Sequence, residues 1–380
     1  MSPEHPDTEH RALLDVVRSY ATAELQPRAS ADEAAGRFPR DVFAQLGELG
    51  LMGLPVAEEH GGGGGQPSGI ALQVAEELSR AWLTVGLGLS VHALATWAVE
   101  AYAAPEVAAE VVPRLATGEW LGAYCLSEPG SGSDAAALVT SARRDGDDYV
   151  VDGTKAWVSH SGTADVYVLM CRTGEDKTGG ISALLVPATT RGVSFPPPEH
   201  KMGLRASPTG QVVFDGARVP ARNLLGGEGD GFRIAMRALE GGRLGIAACS
   251  VGLAQCALDH AVAYARQREQ FGRPIGEFQG VGFLLADMAA GIEAARALYR
   301  AGAARRDAGQ DHRRLAAMAK LVASDTAMAV TTDAVQVFGG YGYTTEYPVE
   351  RLMREAKVLQ IVEGTNQIQR MVIARDLLRG

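Results

Sequence analysis

The hydrophobic period changes twice along this chain, and that change restricts the fold more than any other feature. Up to about residue 117 apolar residues recur at 3- and 4-residue spacing. His10–Glu24 carries Leu13, Leu14, Val17 and Tyr20, and Asp41–Leu49 and Ile70–Ala81 repeat the pattern. That spacing gathers side chains on one face of a helix. From about 118 to 222 the period becomes two, in short β-branched runs at Asp148–Asp152, Val166–Cys171, Ile181–Pro187 and Gln211–Phe214. Asp145-Gly146, Asp152-Gly153, Gly179-Gly180 and Asp215-Gly216 supply turn signals between the runs. From about 228 the helical period returns. Ile246, Cys249, Leu253, Cys256 and His260 form the seam of a helix that Pro274 ends, and helices follow over roughly Phe278–Arg306, Arg313–Phe338 and Gln367–Leu378. Short connections make such helices antiparallel neighbours. The pattern predicts an α+β chain, mostly α. An N-terminal α-helical domain spans 1–117, a middle antiparallel β domain 118–225, and a C-terminal four-helix bundle 226–380.

Composition removes several functions. The 380 residues carry a formal charge of −9 and no long basic block, so nucleic-acid phosphate is not the target. Four cysteines (Cys125, Cys171, Cys249, Cys256) are too few and too scattered for a disulfide framework or a metal site, and fit reduced, cytoplasmic thiols. The acidic start MSPEHPDTEH resembles neither a signal nor a transit peptide. Leu83–Val99 is uncharged, but Thr84, Gly86, Gly88, Ser90, His92 and Thr96 make it a buried helix rather than a membrane span, with His92 a core or helix-end histidine. The 46 glycines stand well above the usual roughly 7%. One block of them, GGGGGQPSG at 61–69, reads as a flexible loop.

Five segments carry possible chemistry, and each has a bland alternative when taken alone. YCLSEPGSGSD (Tyr124–Asp134) offers backbone N–H groups to an anion or a flat ring, or is an ordinary polar loop. It contains Gly130-x-Gly132-x-x-Ala135, a formal dinucleotide fingerprint. Glu128-Pro129 interrupts the strand and no βαβ unit surrounds it, so that reading is rejected. Trp157-Val158-Ser159 ends a strand, where a lone Trp is more often core than platform. Arg266–Pro274 clusters arginines that either face water or clamp a diphosphate. QVFGG (Gln336–Gly340) is a helix cap or a place where backbone meets ligand. In IVEGTNQIQR, Glu363 follows an apolar run. It is either a solvated helix end or a desolvated base.

Together with KMGLRASPTGQVVFDGARV (Lys201–Val219) and GDGFRIAMRALEGGRLG (Gly229–Gly245), these segments resemble the acyl-CoA dehydrogenase family in order and spacing. The resemblance covers almost the whole chain, is weakest over 1–40, and looks closest to the short- and medium-chain branches. It implies FAD as cofactor, α,β-desaturation of an acyl-CoA thioester, electron-transfer flavoprotein as acceptor, and a homotetramer built as a dimer of dimers. It implies that Tyr124, Cys125, Leu126, Ser127, Gly130, Gly132 and Ser133 line the flavin, with Ser133 also touching CoA. Trp157, Val158 and Ser159 would flank the isoalloxazine. Arg268 and Gln270 would hold FAD phosphates, Gln279 would meet the adenosine side, and Thr365 and Gln367 would contact flavin. Gln336, Val337, Phe338, Gly339 and Gly340 would complete the FAD site of a neighbouring subunit. Glu240 and Arg243 match the family's substrate-contacting Asp/Glu-x-x-Arg. Glu363 matches the catalytic base, and Gly364 would lie beside the thioester.

Two departures bear on substrate. Val362 stands where many relatives have Tyr, which implies a reshaped acyl pocket and a substrate that is branched or bulky near its α- or β-carbon. Gly242 occupies the position at which the isovaleryl branch places its base. The same chemistry on an acyl group held by an acyl carrier protein is the alternative substrate, and a catalytically silent helical scaffold the alternative class. The intact Glu363 argues against the scaffold.

Overall fold

A computed structural model describes residues 8–64 and 66–378; the acidic start at 1–7, the fifth glycine of the 61–65 run and residues 379–380 lie outside the described residues. The first third is helical. Helix α1 (Thr8–Tyr20) passes through a widened π turn into α2 (Gln26–Ala35), and α3 (Arg40–Glu48), α4 (Ser68–Ala81), α5 (Leu83–Tyr102) and α6 (Pro105–Ala116) follow. Gly36, with φ 64°, ends α2, and Pro105 opens α6 where a missing N–H costs nothing. His92 is buried in α5. Its Nδ1 accepts from Gly122 N at 3.1 Å and its Nε2 lies 3.1 Å from the Leu115 carbonyl, so it ties α5 and α6 to the first strand. The glycine run is not loose where it is described, because a Cβ at Gly62 would collide with the Val56 backbone.

The middle third is one sheet. Its strands are β1 (Gly122–Cys125), β2 (Ser141–Asp145), β3 (Asp148–Ser159), β4 (Val166–Arg172), β5 (Ile181–Pro187), β6 (Val193–Ser194), β7 (Thr209–Pro220) and β8 (Leu224–Leu225). The order is β6-β7-β3-β2-β4-β5-β8, with β1 also on β4. Most pairings are antiparallel, but β1 and β2 both run parallel to β4. They take successive stretches of the same edge, β1 opposite Val166–Leu169 and β2 opposite Arg172. Residues 126–140 are therefore expelled from the sheet as a loop. Two expected turns are not turns. Asp152-Gly153 lies inside β3 and Asp215-Gly216 inside β7, where the register shifts and Gly216 N donates to Asp152 Oδ1 at 2.8 Å. An Asp-Gly pair can adopt the left-handed backbone that a bulge requires as readily as that of a hairpin.

The last third is a helical bundle: α7 (Gly231–Gln267), α8 (Gln279–Asp307), α9 (Arg313–Phe338), α10 (Val349–Leu359) and α11 (Asn366–Leu378). Helix α7 stops at Gln267, well before Pro274, because residues after Arg268 turn into a small hairpin, β9 (Glu269–Gln270) with β10 (Arg273–Pro274). Helix α10 is an addition to the expected four. It buries Val349, Leu352, Ala356 and Leu359 at helical spacing in the bundle core. The alanines Ala316, Ala319, Ala323 and Ala327 let α9 approach its neighbours closely. Helix α4 also lies on α7, where a Cβ at Gly252 would strike the Glu76 carbonyl. Helices α5 and α7 are long and apolar enough to cross a bilayer, but each is mostly buried in the fold.

Candidate active site

The site is assembled from the loop between α10 and α11, one face of α7, and the loop expelled from the sheet. In the first, Glu363 (φ 54°) and Gly364 (φ 88°) both take the left-handed conformation. For a non-glycine residue this costs about 1–2 kcal/mol, so the surroundings must enforce it. Gln369 Nε2 donates to the carbonyls of Glu363 (3.2 Å) and Gly364 (2.8 Å). Lys320 Nζ donates to Gly364 O at 3.0 Å, and Asn366 N to Gln360 O at 3.0 Å. The Glu363 carboxylate then rests against α7 at Gly242, where any Cβ would collide with Oε2. That oxygen is buried without a hydrogen-bond partner. Burial pushes the carboxyl up to about 7, against the opposing pull of Arg243 and then Lys320.

Two further orphaned polar atoms belong to this place. Arg243 is buried and its Nε has no partner; burial lowers its pKa, opposed by Glu363 and Glu240. The Tyr124 hydroxyl is buried and unpaired, and its pKa is raised first by burial and then by the Glu363 charge. A cavity of about 360 Å³ lies between α4 and α5 on one side and α7 on the other. Leu72, Ala75, Leu89 and Leu94 give it apolar wall, Gly241, Gly242 and Gly245 give it width, and Glu240 and Arg306 add charge. Val362 is half-buried beside this base and packs on the bundle core rather than lining the cavity. The cavity's width beside the base thus comes from the α7 glycines.

The expelled loop is held from below. Lys155, fully buried on β3, donates to Glu128 Oε1 (2.8 Å) and to the Leu126 carbonyl (3.0 Å). Glu128 also accepts from the N–H groups of Val139 (2.7 Å) and Thr140 (2.9 Å). Ala156 N donates to Ser127 O at 2.9 Å, which brings the loop beside Trp157. Here the structure departs from the local expectation that Trp157 is core. A register shift between Lys155 and Val158 and a φ of 61° turn the indole outward, 64% exposed, while Val158 is buried and Ser159 half-buried. Cys125 is buried, Leu126 and Ser127 are half-buried, and Gly130, Gly132 and Ser133 are exposed. A Cβ at either glycine would meet nothing within 4 Å, so packing inside the chain does not account for them.

The remaining predicted residues form a separate group. Arg268, Gln270, Val337, Phe338, Gly339 and Gly340 line a second cavity of about 440 Å³, with the Arg268 guanidinium 5.5 Å from the Tyr341 ring centre. Gln279 and Gln336 are exposed near their helix ends. No hydrogen bond or shared cavity joins this group to Tyr124, Trp157 or Glu363 among the described residues. Thr365 Oγ1 accepts from Ile368 N at 3.3 Å at the start of α11, and Gln367 is exposed. Sequence reasoning missed Lys320, Gln369 and the Glu128–Lys155 pair. For Lys320 a signal existed: it is the charge on the alanine stripe of α9 that faces the core.

A helical–sheet–helical chain with a desolvated glutamate against Gly242 of an apolar cavity wall, and an exposed indole on β3, fits an oxidoreductase of the dehydrogenase class. The family's N-terminal, middle and C-terminal domain models match residues 7–119, 123–217 and 229–378, and the chain belongs to the acyl-CoA dehydrogenase family. It is 45% identical over 378 residues to an acyl-CoA dehydrogenase of Bacillus subtilis, covering 99% of this chain and 100% of that one. Butyryl-CoA dehydrogenase from Megasphaera elsdenii superposes with a TM-score of 0.97 at 38% identity, over 100% of both chains. A chain solved in work on the electron transferring flavoprotein of Acidaminococcus fermentans superposes with the same score at 40% identity, again over 100% of both.

Proposed function

We infer that this protein desaturates an acyl-CoA thioester between its α and β carbons, with Glu363 as the base. One observation carries the reading: a carboxylate raised to about 7 by burial, with Oε2 unpaired, set against Gly242 at the wall of an apolar cavity. An α-proton beside a thioester is weakly acidic, and a base with a pKa near the working pH removes it best. The Glu363 N–H donates to no group among the described residues, which leaves it available to the thioester carbonyl as negative charge develops there. Lys320 and Gln369 hold that backbone, and the apolar wall keeps water from the proton-transfer path.

The residues present fit FAD. The exposed Trp157 offers a flat face, Ser127 and Ser159 lie beside it, and open space faces Gly130, Gly132, Gly339 and Gly340. The Arg268 guanidinium suits a diphosphate. When bound, the flavin accepts the hydride that leaves the β-carbon. In this reading Glu240 and Arg243 meet the substrate, electrons pass to an electron-transfer flavoprotein, and a homotetramer brings the Arg268 group of one subunit to the flavin of another. The likeness to the chain from the Acidaminococcus electron-transfer work supports the acceptor. Four free cysteines support a cytoplasmic setting.

The test is colour. Purified protein is yellow, and its flavin band bleaches anaerobically with a matching thioester. Glu363→Gln keeps the flavin and does not bleach; bleaching at the wild-type rate would defeat the assignment. A panel of butyryl, isobutyryl, 2-methylbutyryl and longer thioesters, on CoA and on acyl carrier protein, identifies the substrate. The width that Gly241, Gly242 and Gly245 leave in the cavity, rather than Val362, is the ground for expecting a branched chain, and a clean preference for butyryl-CoA would remove that expectation.

A further inference from the structure

Lys320 is fully buried on the alanine stripe of α9, where a methionine would fill the same space without placing a charge in the core. A buried ammonium is costly unless its protons are satisfied. Its partners are neutral and lie on one short segment: the Gly364 carbonyl at 3.0 Å and Asn366 Oδ1 at 2.8 Å. They flank Glu363 on its C-terminal side. Asn366 is itself fixed to α9, donating to Ser324 Oγ at 3.0 Å and Asp325 Oδ1 at 2.7 Å. The segment between α10 and α11 is thus clamped to α9 immediately after its strained residue.

We propose that Lys320 is a positioning residue for the proton-abstracting step, its ammonium gripping the backbone next to Glu363 and holding the carboxylate against Gly242 in a fixed electrostatic setting. This rests on Glu363 being the base. The charged and titratable groups facing Glu363 are Arg243 and Cys249 from α7, Lys320 from α9 and Tyr124 from β1. Of these, Arg243 and Lys320 favour the ionised carboxylate. Lys320 is itself pushed down to about 8, first by burial, with Glu363 and Asp325 opposing and Arg243 adding to the effect. Above that pH the clamp loses its charge while Glu363 stays ionised. A clamp that titrates there adds an alkaline limb to the acid limb set by Glu363.

Anaerobic flavin reduction by acyl-CoA, followed from pH 5.5 to 9.5, tests this on wild type, Lys320→Met, Lys320→Gln and Lys320→Arg. The wild type is expected to show an acid limb and an alkaline limb. Lys320→Met and Lys320→Gln should retain flavin, lose about 100-fold in reduction rate as the base drifts from its position, and shift the acid limb upward by about one pH unit, with KM within about threefold. Lys320→Arg should recover most of the rate and lose the alkaline limb, because a guanidinium does not titrate there. A wild-type rate and pH profile in Lys320→Gln would overturn the proposal. So would loss of flavin and of cooperative unfolding in all three variants, which would make the lysine structural only. Normal bleaching by Glu363→Gln would instead defeat the underlying reading, whatever Lys320 does.

Discussion

At position 242 a side chain and the Glu363 carboxylate compete for one volume, since a Cβ there would collide with Oε2. Gly242→Ala is expected to keep its flavin and lose about 100-fold in anaerobic reduction, because the base must move by about 1 Å or more. An unchanged rate would mean the carboxylate sits elsewhere during turnover. The same carboxylate weakens the fold. Its folded pKa of about 7 lies above its usual value near 4.5, so the stability of the fold with this group protonated is fully present below pH 4.5 and is lost as pH rises through 7, where the buried group ionises. Glu363→Gln should therefore melt a few degrees higher than wild type at pH 8, for at most about 3 kcal/mol, and match it near pH 4.5. Calorimetry at the two pH values checks the sign. The family resemblance is what singles out Glu363 as a candidate base, since its local sequence, an apolar run before it and glycine after, suits a solvated helix end as well. Its left-handed backbone was not legible in sequence, since Gln369 and Lys320 impose it from elsewhere in the chain.

At the scale of elements, the loop at residues 126–140 depends on a buried ion pair beneath it. Lys155 and Glu128 are 0% and 3% exposed in their side chains. Lys155→Met leaves a buried carboxylate without its cation, a change that costs about 3–5 kcal/mol. Urea unfolding should show that loss, and flavin should leave before the protein unfolds. Lys155→Met combined with Glu128→Gln should recover part of the stability, which additive losses would contradict. The helices and short strands followed their hydrophobic period. Beyond that, local signals misled where two states share one dipeptide. Asp152-Gly153 and Asp215-Gly216 suit a hairpin and a bulge equally, and only pairing along the whole β3–β7 ladder selected the bulge. Pro274 marked a helix end that the Arg268–Pro274 hairpin had already made upstream.

Across the whole molecule, the residues assigned to one cofactor fall into two groups in a single chain. Phe271 and Tyr343, close in sequence to the second group, are 94% and 89% exposed, a cost that association would relieve. Flavin retention should therefore depend on protein concentration, with apoprotein appearing as sedimentation shows subunits separating. Flavin held equally well by an isolated monomer would contradict the proposed tetramer. By itself the sequence determined the α–β–α succession and the membership of a family, because hydrophobic period and motif spacing are local or strictly ordered along the chain. Only the tertiary structure decided that Gly242 makes room for Glu363, that Lys320 clamps its backbone and that a bulge turns Trp157 outward. Each of these depends on residues far apart in sequence competing for, or sharing, the same few ångströms.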